Sequence, residues 1–260
     1  MNSVNKTLYI PLYGKAYVSR KGLFLEDKKA EEIWNAEGFT LRGKAKSKWL
    51  AYYMGIRAAV FDRWTKAQLA GAQDAVVLHI GCGLDSRVLR VGTDGCAWID
   101  VDFPDVIAER KRYFEESGSC RMLAADVREG RWLEAIDQKN AIVVMEGVSM
   151  YMTREELEEL LQRLCAHFDQ VSILMDCYTG MAAKLSRYKN PINDVGVTQV
   201  YGLDDPASLQ SGALAFVGEH DMTPKRLVDE LSGLEKAVFA RVFAGGFSKK
   251  LYRLFEYRKA

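Results

Sequence analysis

Histidine and proline are scarce in this 260-residue chain, at three and five copies. The histidines, His79, His167 and His220, do not fall at metal-ligand spacing, so no metal site is expected. The five cysteines (Cys82, Cys96, Cys120, Cys165, Cys177) are odd in number, scattered, and contain no C-x-x-C pair. That pattern argues against a disulfide framework or a structural zinc site, and the thiols read as reduced, buried small hydrophobes. No apolar run approaches the roughly 20 residues needed to span a bilayer. The polar start Met1-Asn2-Ser3-Val4-Asn5-Lys6 lacks the apolar core of a secretion signal, so a cytoplasmic protein without membrane contact is expected. Net charge is nearly absent as well. Lys and Arg number 36 against 35 Asp and Glu, a balance of +1 that argues against a dedicated nucleic-acid binder. Internal repeats and low-complexity tracts are missing.

What is present is ordinary globular material, 48% hydrophobic and 27% charged, and long enough for one large domain or two small ones. The neutrality hides a partition. Residues 1–60 carry 11 basic and 5 acidic residues, residues 61–240 carry 19 and 29, and the last 20 carry 6 and 1. From about Ala75 the chain alternates short apolar runs with amphipathic stretches. Ala75–Ile80, Ala97–Ile99, Met122–Ala125, Ala141–Met145 and Val171–Met175 read as buried strands. Thr153 and Glu156 form a T-x-x-E capping box ahead of Leu157, Leu160, Leu161 and Leu164 at helical spacing. Thr223-Pro224 reads as a second helix start, with Thr as cap and Pro at the first helical position. Strands alternating with helices imply an α/β fold with a doubly wound, mostly parallel, Rossmann-like sheet. Lys236–Val242 and Lys249–Tyr257, joined by Ala244-Gly245-Gly246, read as a closing hairpin that makes the last strand antiparallel. Residues 1–70, with helices expected at Glu26–Glu37 and Ala45–Leu69, read as a helical cover. Residues 71–260 read as the main domain, with a functional insertion at about 178–221.

The chemistry-bearing residues stand at strand ends. After the first strand comes Gly81-Cys82-Gly83-Leu84-Asp85-Ser86-Arg87, in which Gly81 and Gly83 allow a tight turn and close ligand approach. The third glycine of a dinucleotide fingerprint is absent, and Asp85 beside the turn would repel a pyrophosphate. Nineteen residues past Gly83 lies Asp102, where a carboxylate can hold ribose hydroxyls. Asp100 shares its side of the extended chain but lies further from the strand's carboxyl end. Asp126 and Glu146 end the third and fourth strands. Four acids facing the crevice of a doubly wound sheet suit a ligand with a ribose, an adenine amino group, an ammonium and a positive centre, which S-adenosylmethionine combines.

Pro11-Leu12-Tyr13-Gly14-Lys15, the G-C-G-L-D-S-R turn, D-V-D-F-P-D-V-I and E-G-V-S-M-Y closely resemble the leucine carboxyl methyltransferase and polyketide O-methyltransferase family, in the same order from about Pro11 to Tyr178. The segments E-L-L-Q-R-L and I-L-M-D-C-Y also fit. The resemblance implies the class I S-adenosylmethionine-dependent methyltransferase fold and methyl transfer to oxygen, often of a carboxylate, on a carboxylate or phenolic, polyketide-like small molecule or on a protein C-terminal carboxylate. It implies that Gly81 and Gly83 line the cofactor, Asp102 holds its ribose, and Asp126 with Val127 meets the adenine. Glu146 is then expected at the amino group and Arg57 at the carboxylate, with Lys15 or Arg20 as a second cation. The likeness fades after Tyr178, so acceptor identity does not carry over.

For an O-methyltransferase the sulfonium is already activated, and the protein's task is alignment, worth about 7–11 kcal/mol of barrier. A carboxylate acceptor needs no general base, whereas a phenol with a pKa near 10 benefits from one. No histidine lies in an evident catalytic motif; His220 in the insertion is the candidate for a hidden base. Tyr151 and Tyr178 follow the fourth and fifth strands and are the candidate catalytic residues, while Arg187 and Tyr188 could meet an anionic or aromatic acceptor. A basic N-terminal cover suits an anionic one. Two alternatives stand beside this reading: an NAD-dependent dehydrogenase, which leaves Asp126 and Glu146 unexplained, and a non-catalytic cofactor-binding relative.

Overall fold

The structure, a computed structural model, describes residues 5–36, 38, 41, 43–189 and 199–259. Three helices come first: α1 (Tyr9–Arg20), α2 (Lys28–Ala36) and α3 (Lys48–Leu69). The Ser47 hydroxyl opens α3 by accepting from Trp49 N–H at 3.3 Å. The sheet then builds by β1 (Ala75–Ile80), α4 (Arg87–Val91), β2 (Ala97–Asp102), α5 (Pro104–Arg110), β3 (Cys120–Ala124) and β4 (Asn140–Met145). It continues with α6 (Arg154–His167), β5 (Gln170–Tyr178), α7 (Gly180–Lys189), β6 (Leu214–His220), three short helices α8 (Lys225–Val228), α9 (Gly233–Val242) and α10 (Gly246–Lys249), and β7 (Tyr252–Lys259).

The seven strands lie in the order β3-β2-β1-β4-β5-β7-β6, with every pairing parallel except those of β7. The expected Rossmann-like sheet with an antiparallel last strand is therefore present. Order reverses between β1 and β4, which opens the crevice where such sheets bind ligands. The apolar runs are buried on both faces because each face has its own core. Val77, Val144 and Leu174 pack with Tyr52, Ile56 and Phe61 of α3, while Val76, Leu78 and Met145 pack with Leu157, Leu160 and Leu164 of α6. The capping box of α6 forms as expected, with Thr153 Oγ1 accepting from Glu156 N–H and Glu156 Oε2 accepting from Thr153 N–H.

Three expectations need correction. Lys236–Val242 is not a strand but part of α9, and β7 pairs instead with β5 and with β6, the latter inside the stretch read as an insertion. A seven-residue apolar run does not choose between helix and strand on its own. Here Phe239 is wholly buried, edge-on to Tyr52 of α3, and Glu235 takes Lys48 Nζ at 2.8 Å and the Tyr52 hydroxyl at 2.6 Å, which docks the segment as a helix. The insertion accordingly includes α7 and ends in an edge strand. Finally, α8 starts one residue later than expected: Pro224, not Thr223, is its N-cap, and no side chain closes it.

Candidate active site

The carboxyl ends of β1, β2, β3, β4 and β5 open onto one cavity of about 750 Å³. Arg57, Gly81, Gly83, Asp102, Asp126, Val127, Glu146, Tyr151 and Tyr178 all line it, so the structure brings these nine expected residues together. Leu8, Leu12 and Lys15 of the N-terminal helical region complete one wall.

The glycine turn is shaped by backbone need. Gly81 has φ +67°, and a Cβ there would meet Val148 Cγ2 at 2.3 Å. Gly83 has φ +50°, and its N–H donates to Asp102 Oδ2 at 2.8 Å, while Phe103 N–H donates to Asp102 Oδ1 at 2.8 Å. Burial pushes the Asp102 carboxyl up to about 6, against the pull of those two N–H groups. Asp100 does different work. It accepts from Arg110 Nη2 at 2.6 Å, Trp98 Nε1 at 2.9 Å and faces His79 Nδ1 at 3.1 Å, and Arg110 Nη1 donates onward to Gly83 O at 3.0 Å. Asp100 thus braces the turn from beneath, and Asp102 is the acid that reaches the cavity.

Glu146 sits between two guanidiniums. Arg57 Nε and Nη2 each lie 3.0 Å from its Oε1, and Arg87 Nη2 donates to Oε2. Burial opposes its ionisation, yet Arg57 and Arg87 outweigh that and bring the carboxyl down to about 2. Arg57 is held from its other side by Asp176 Oδ2 at 3.1 Å and the Tyr252 hydroxyl at 2.6 Å. Asp126 is engaged by Arg128, whose Nε lies 2.9 and 3.0 Å from its two oxygens and lowers its pKa through those bonds. Arg128 shares the cavity wall.

Past Arg57 the wall changes character. Tyr53, Tyr151, Tyr178 and Tyr252 stand there among Leu50, Met54, Met150 and Leu251. Tyr178 packs edge-on to Tyr252 with ring centres 4.8 Å apart, and Tyr53 stacks on Tyr252 at 6.1 Å. Burial raises the hydroxyl pKa of Tyr53, Tyr151 and Tyr252, so all three are neutral donors near pH 7.

Several other expectations change. Asp85 is no bare charge beside the turn: burial disfavours its charge, but Arg90 at 2.8 Å and Lys15 at 3.3 Å hold its carboxyl well below the ordinary range. The repulsion argument against a phosphate therefore loses its basis. Lys15 is spent on Asp85, and Arg20 is exposed, bonded to Asn35 at 2.6 Å and outside the cavity lining. His220 lies on β6 with Glu256 at 2.6 Å and does not line the cavity, so it is no hidden base there. His79 lines the cavity, but its ring is fixed by Asp100, and burial lowers its pKa. The side chains of Arg187 and Tyr188 lie outside the described residues. Among the described residues no His, Cys, Asp and Glu cluster could hold a metal, and no helix is long and apolar enough to cross a membrane.

The family model for leucine carboxyl methyltransferase matches residues 7–165. The chain belongs to the leucine carboxyl methyltransferase family. This methyltransferase is 32% identical over 248 residues to the tetracenomycin polyketide synthesis O-methyltransferase TcmP of Streptomyces glaucescens, covering 92% of this chain and 91% of that protein. It is 28% identical over 188 residues to an S-adenosyl-L-methionine-dependent methyltransferase, dpfgK, of Gibberella zeae, across 66% of this chain and 63% of that protein. Its fold is shared with magnesium protoporphyrin IX methyltransferase of Synechocystis, solved with bound S-adenosylhomocysteine: 10% identity, 90% and 94% coverage, TM-score 0.52. The family expectation from the sequence is thus borne out, and the S-adenosylmethionine expectation agrees with these relatives' names. Sequence reasoning missed Asp176, Tyr252, Arg87 and Arg128. Asp176 and Arg87 lay within matched motifs, but only the pairing of β5 with β7 and the burial of α4's first residue give them their roles.

Proposed function

We propose that this chain transfers the methyl group of S-adenosylmethionine to a carboxylate oxygen of a small, largely apolar acceptor. The residues present fit that cofactor. A turn without Cβ atoms at Gly81 and Gly83 adjoins the Asp102 carboxylate, a match for a ribose; an ionised Glu146 beside Arg57 matches an ammonium and a carboxylate. Asp126 and Val127 line the same cavity at the β3 end and would flank the adenine. When bound, the cofactor supplies an activated methyl group. The protein's own work is then to fix the amino-acid end at Glu146 and Arg57, hold the ribose at Asp102, and orient the acceptor oxygen along the tyrosine wall.

The observation that carries the carboxylate reading is the acceptor half of the cavity. Among its described residues the titratable groups are tyrosines, and burial keeps the hydroxyls of Tyr53, Tyr151 and Tyr252 protonated, so no base stands ready to deprotonate a phenol. Tyr151 and Tyr178 would donate to, or pack against, an acceptor that arrives ionised. The basic cover no longer adds support, because Lys15 and Arg57 are both matched by buried acids. Residues 1–70 are read as a helical cover over the catalytic region 71–260. Calorimetry with S-adenosylhomocysteine and with NAD is the first test: heat with NAD alone sinks the reading. Turnover of methyl-labelled cofactor against matched aromatic acids and phenols is the second. Transfer to the acids is expected, and transfer confined to phenols overturns the carboxylate assignment. Transfer to any acceptor eliminates a non-catalytic binder.

A further inference from the structure

Asp176 is fully buried on β5, two residues before Tyr178 and in register with Leu254 of β7, yet it carries a charge-bearing side chain with three donors. Its Oδ1 accepts from Gly147 N–H at 2.7 Å; its Oδ2 accepts from Arg57 Nη1 at 3.1 Å and from the Tyr252 hydroxyl. The Tyr252 hydroxyl in turn accepts from Arg57 Nη1 at 2.6 Å. Arg57 has five N–H groups. Nε and one Nη2 hydrogen face Glu146, and the two Nη1 hydrogens face Asp176 and Tyr252. One Nη2 hydrogen is not committed to these partners. Gly147, with φ +73°, lies so close that a Cβ there would be 3.5 Å from Arg57 Nη1. One carboxylate therefore pins both the guanidinium and the turn that follows Glu146.

We propose that Asp176 and Tyr252 are positioning residues that set Arg57 and the Glu146-Gly147 turn in the geometry that recognises the amino-acid end of the cofactor. The proposal rests on the S-adenosylmethionine reading above. Without Asp176 and Tyr252, Glu146 alone would hold Arg57, and a guanidinium held along one edge can pivot about that contact. The glycine turn at β1 and Asp102 at β2 touch neither residue through the bonds above, so recognition of the adenosine end should be independent of them.

The test separates the two ends of the ligand. Binding of S-adenosylhomocysteine and of 5′-methylthioadenosine, which lacks the amino-acid group, is measured by calorimetry on wild type, Asp176→Asn and Tyr252→Phe. Asp176→Asn is expected to weaken S-adenosylhomocysteine about tenfold or more and Tyr252→Phe by less, while methylthioadenosine stays within about twofold. Equal loss of both ligands in the two variants means a merely structural role and overturns the proposal, as does unchanged S-adenosylhomocysteine affinity. If Asp176→Asn fails to fold, the Tyr252→Phe comparison decides. A wild type that binds neither ligand instead overturns the cofactor reading itself.

Discussion

Replacing Glu146 by Gln removes one negative charge from between two buried guanidiniums while keeping the side chain's shape. The Glu146 side chain is 5% exposed and Arg87 is wholly buried, so solvent screens the contact little. The fall of its carboxyl from 4.5 to about 2 corresponds to about 3 kcal/mol of stability at neutral pH. That agrees with the roughly 3–5 kcal/mol typical of breaking a buried ion pair by removing one partner. Arg57 keeps Asp176 and Arg87 keeps Asp62 at 2.8 Å, which places the expected loss at the lower end. For a chain of this size, about 3 kcal/mol lowers the melting midpoint by roughly 6–12 °C. The pH dependence has a definite sign. A carboxyl whose folded pKa is depressed contributes its full stabilisation above the unfolded value near 4.5 and loses it as pH falls toward 2. The gap between wild type and Glu146→Gln, measured by scanning calorimetry or urea unfolding, should therefore be widest at pH 7 and shrink by roughly half at pH 3. A midpoint within 2 °C of wild type at pH 7, or a gap that does not change with pH, would refute the picture of Glu146 as a buried anion held by Arg57 and Arg87.

Asp102→Ala should weaken S-adenosylhomocysteine binding by about 1.5–3 kcal/mol in calorimetry, the range for a hydrogen bond to a charged group. Because burial lifts the Asp102 carboxyl to about 6, wild-type affinity should be level above that pH and fall by up to about tenfold per unit below it. Asp102→Asn should abolish that limb; a limb that persists in the variant belongs to another group. Gly81→Ala places a Cβ 2.3 Å from Val148 Cγ2 in a left-handed backbone, and loss of cofactor binding is expected. Val148→Ala in the same chain should restore binding only in part, since it relieves the clash and not the φ of +67°; full rescue would show that sterics alone governed the site. Tyr151→Phe and Tyr178→Phe should lower kcat for a carboxylate acceptor while leaving S-adenosylhomocysteine affinity within about twofold, and a binding loss as large as that of Asp102→Ala would move these tyrosines to the cofactor end.

The ends of the parallel strands were legible because each apolar run stops at a glycine or an acid, and a doubly wound sheet points all those ends into one crevice. Gly81, Asp102 and Glu146 needed nothing beyond that topology to be placed together. Choosing Asp102 over Asp100 depended only on depth along the strand; in the structure Asp100 is buried against Arg110 and Asp102 lines the cavity. What sequence could not supply was pairing between distant segments. Tyr252 enters the site because β7 runs antiparallel to β5 with Tyr252 opposite Tyr178, a register set 74 residues away in the chain. The misassignment of Lys236–Val242 has the same origin. Its apolar run fits either structure, and contacts with Tyr52 and Lys48, far upstream, decide for the helix. Arg87 lay in plain view in the glycine turn motif, but an arginine that opens a helix ordinarily faces water, and nothing local signals that this one is wholly buried.

The near-equal count of basic and acidic residues acquires a physical meaning in this light. Charges from the basic first 60 residues and the acidic middle meet beneath the cavity: Lys15 with Asp85, Arg57 with Glu146 and Asp176, Asp27 with Arg90. Buried pairs of this kind seldom stabilise a fold more than well-packed apolar side chains would, because desolvation consumes most of the attraction. Their value must lie in what they hold ready. A carboxylate kept ionised and a guanidinium kept on a fixed axis meet a zwitterionic ligand without reorganisation, which lowers the entropy lost on binding. Replacing Arg90 and Asp62, paired at 2.7 Å and away from the cavity lining, by Met and Leu also strips the arginine from Asp27 and Asp85, which leaves two buried acids short of a cation and should lower the midpoint by several degrees. The same pair of changes removes Asp62 from Arg87 and so loosens the support of Glu146, which should weaken S-adenosylhomocysteine several-fold. Lowered stability with intact affinity would mean instead that these charges serve the fold.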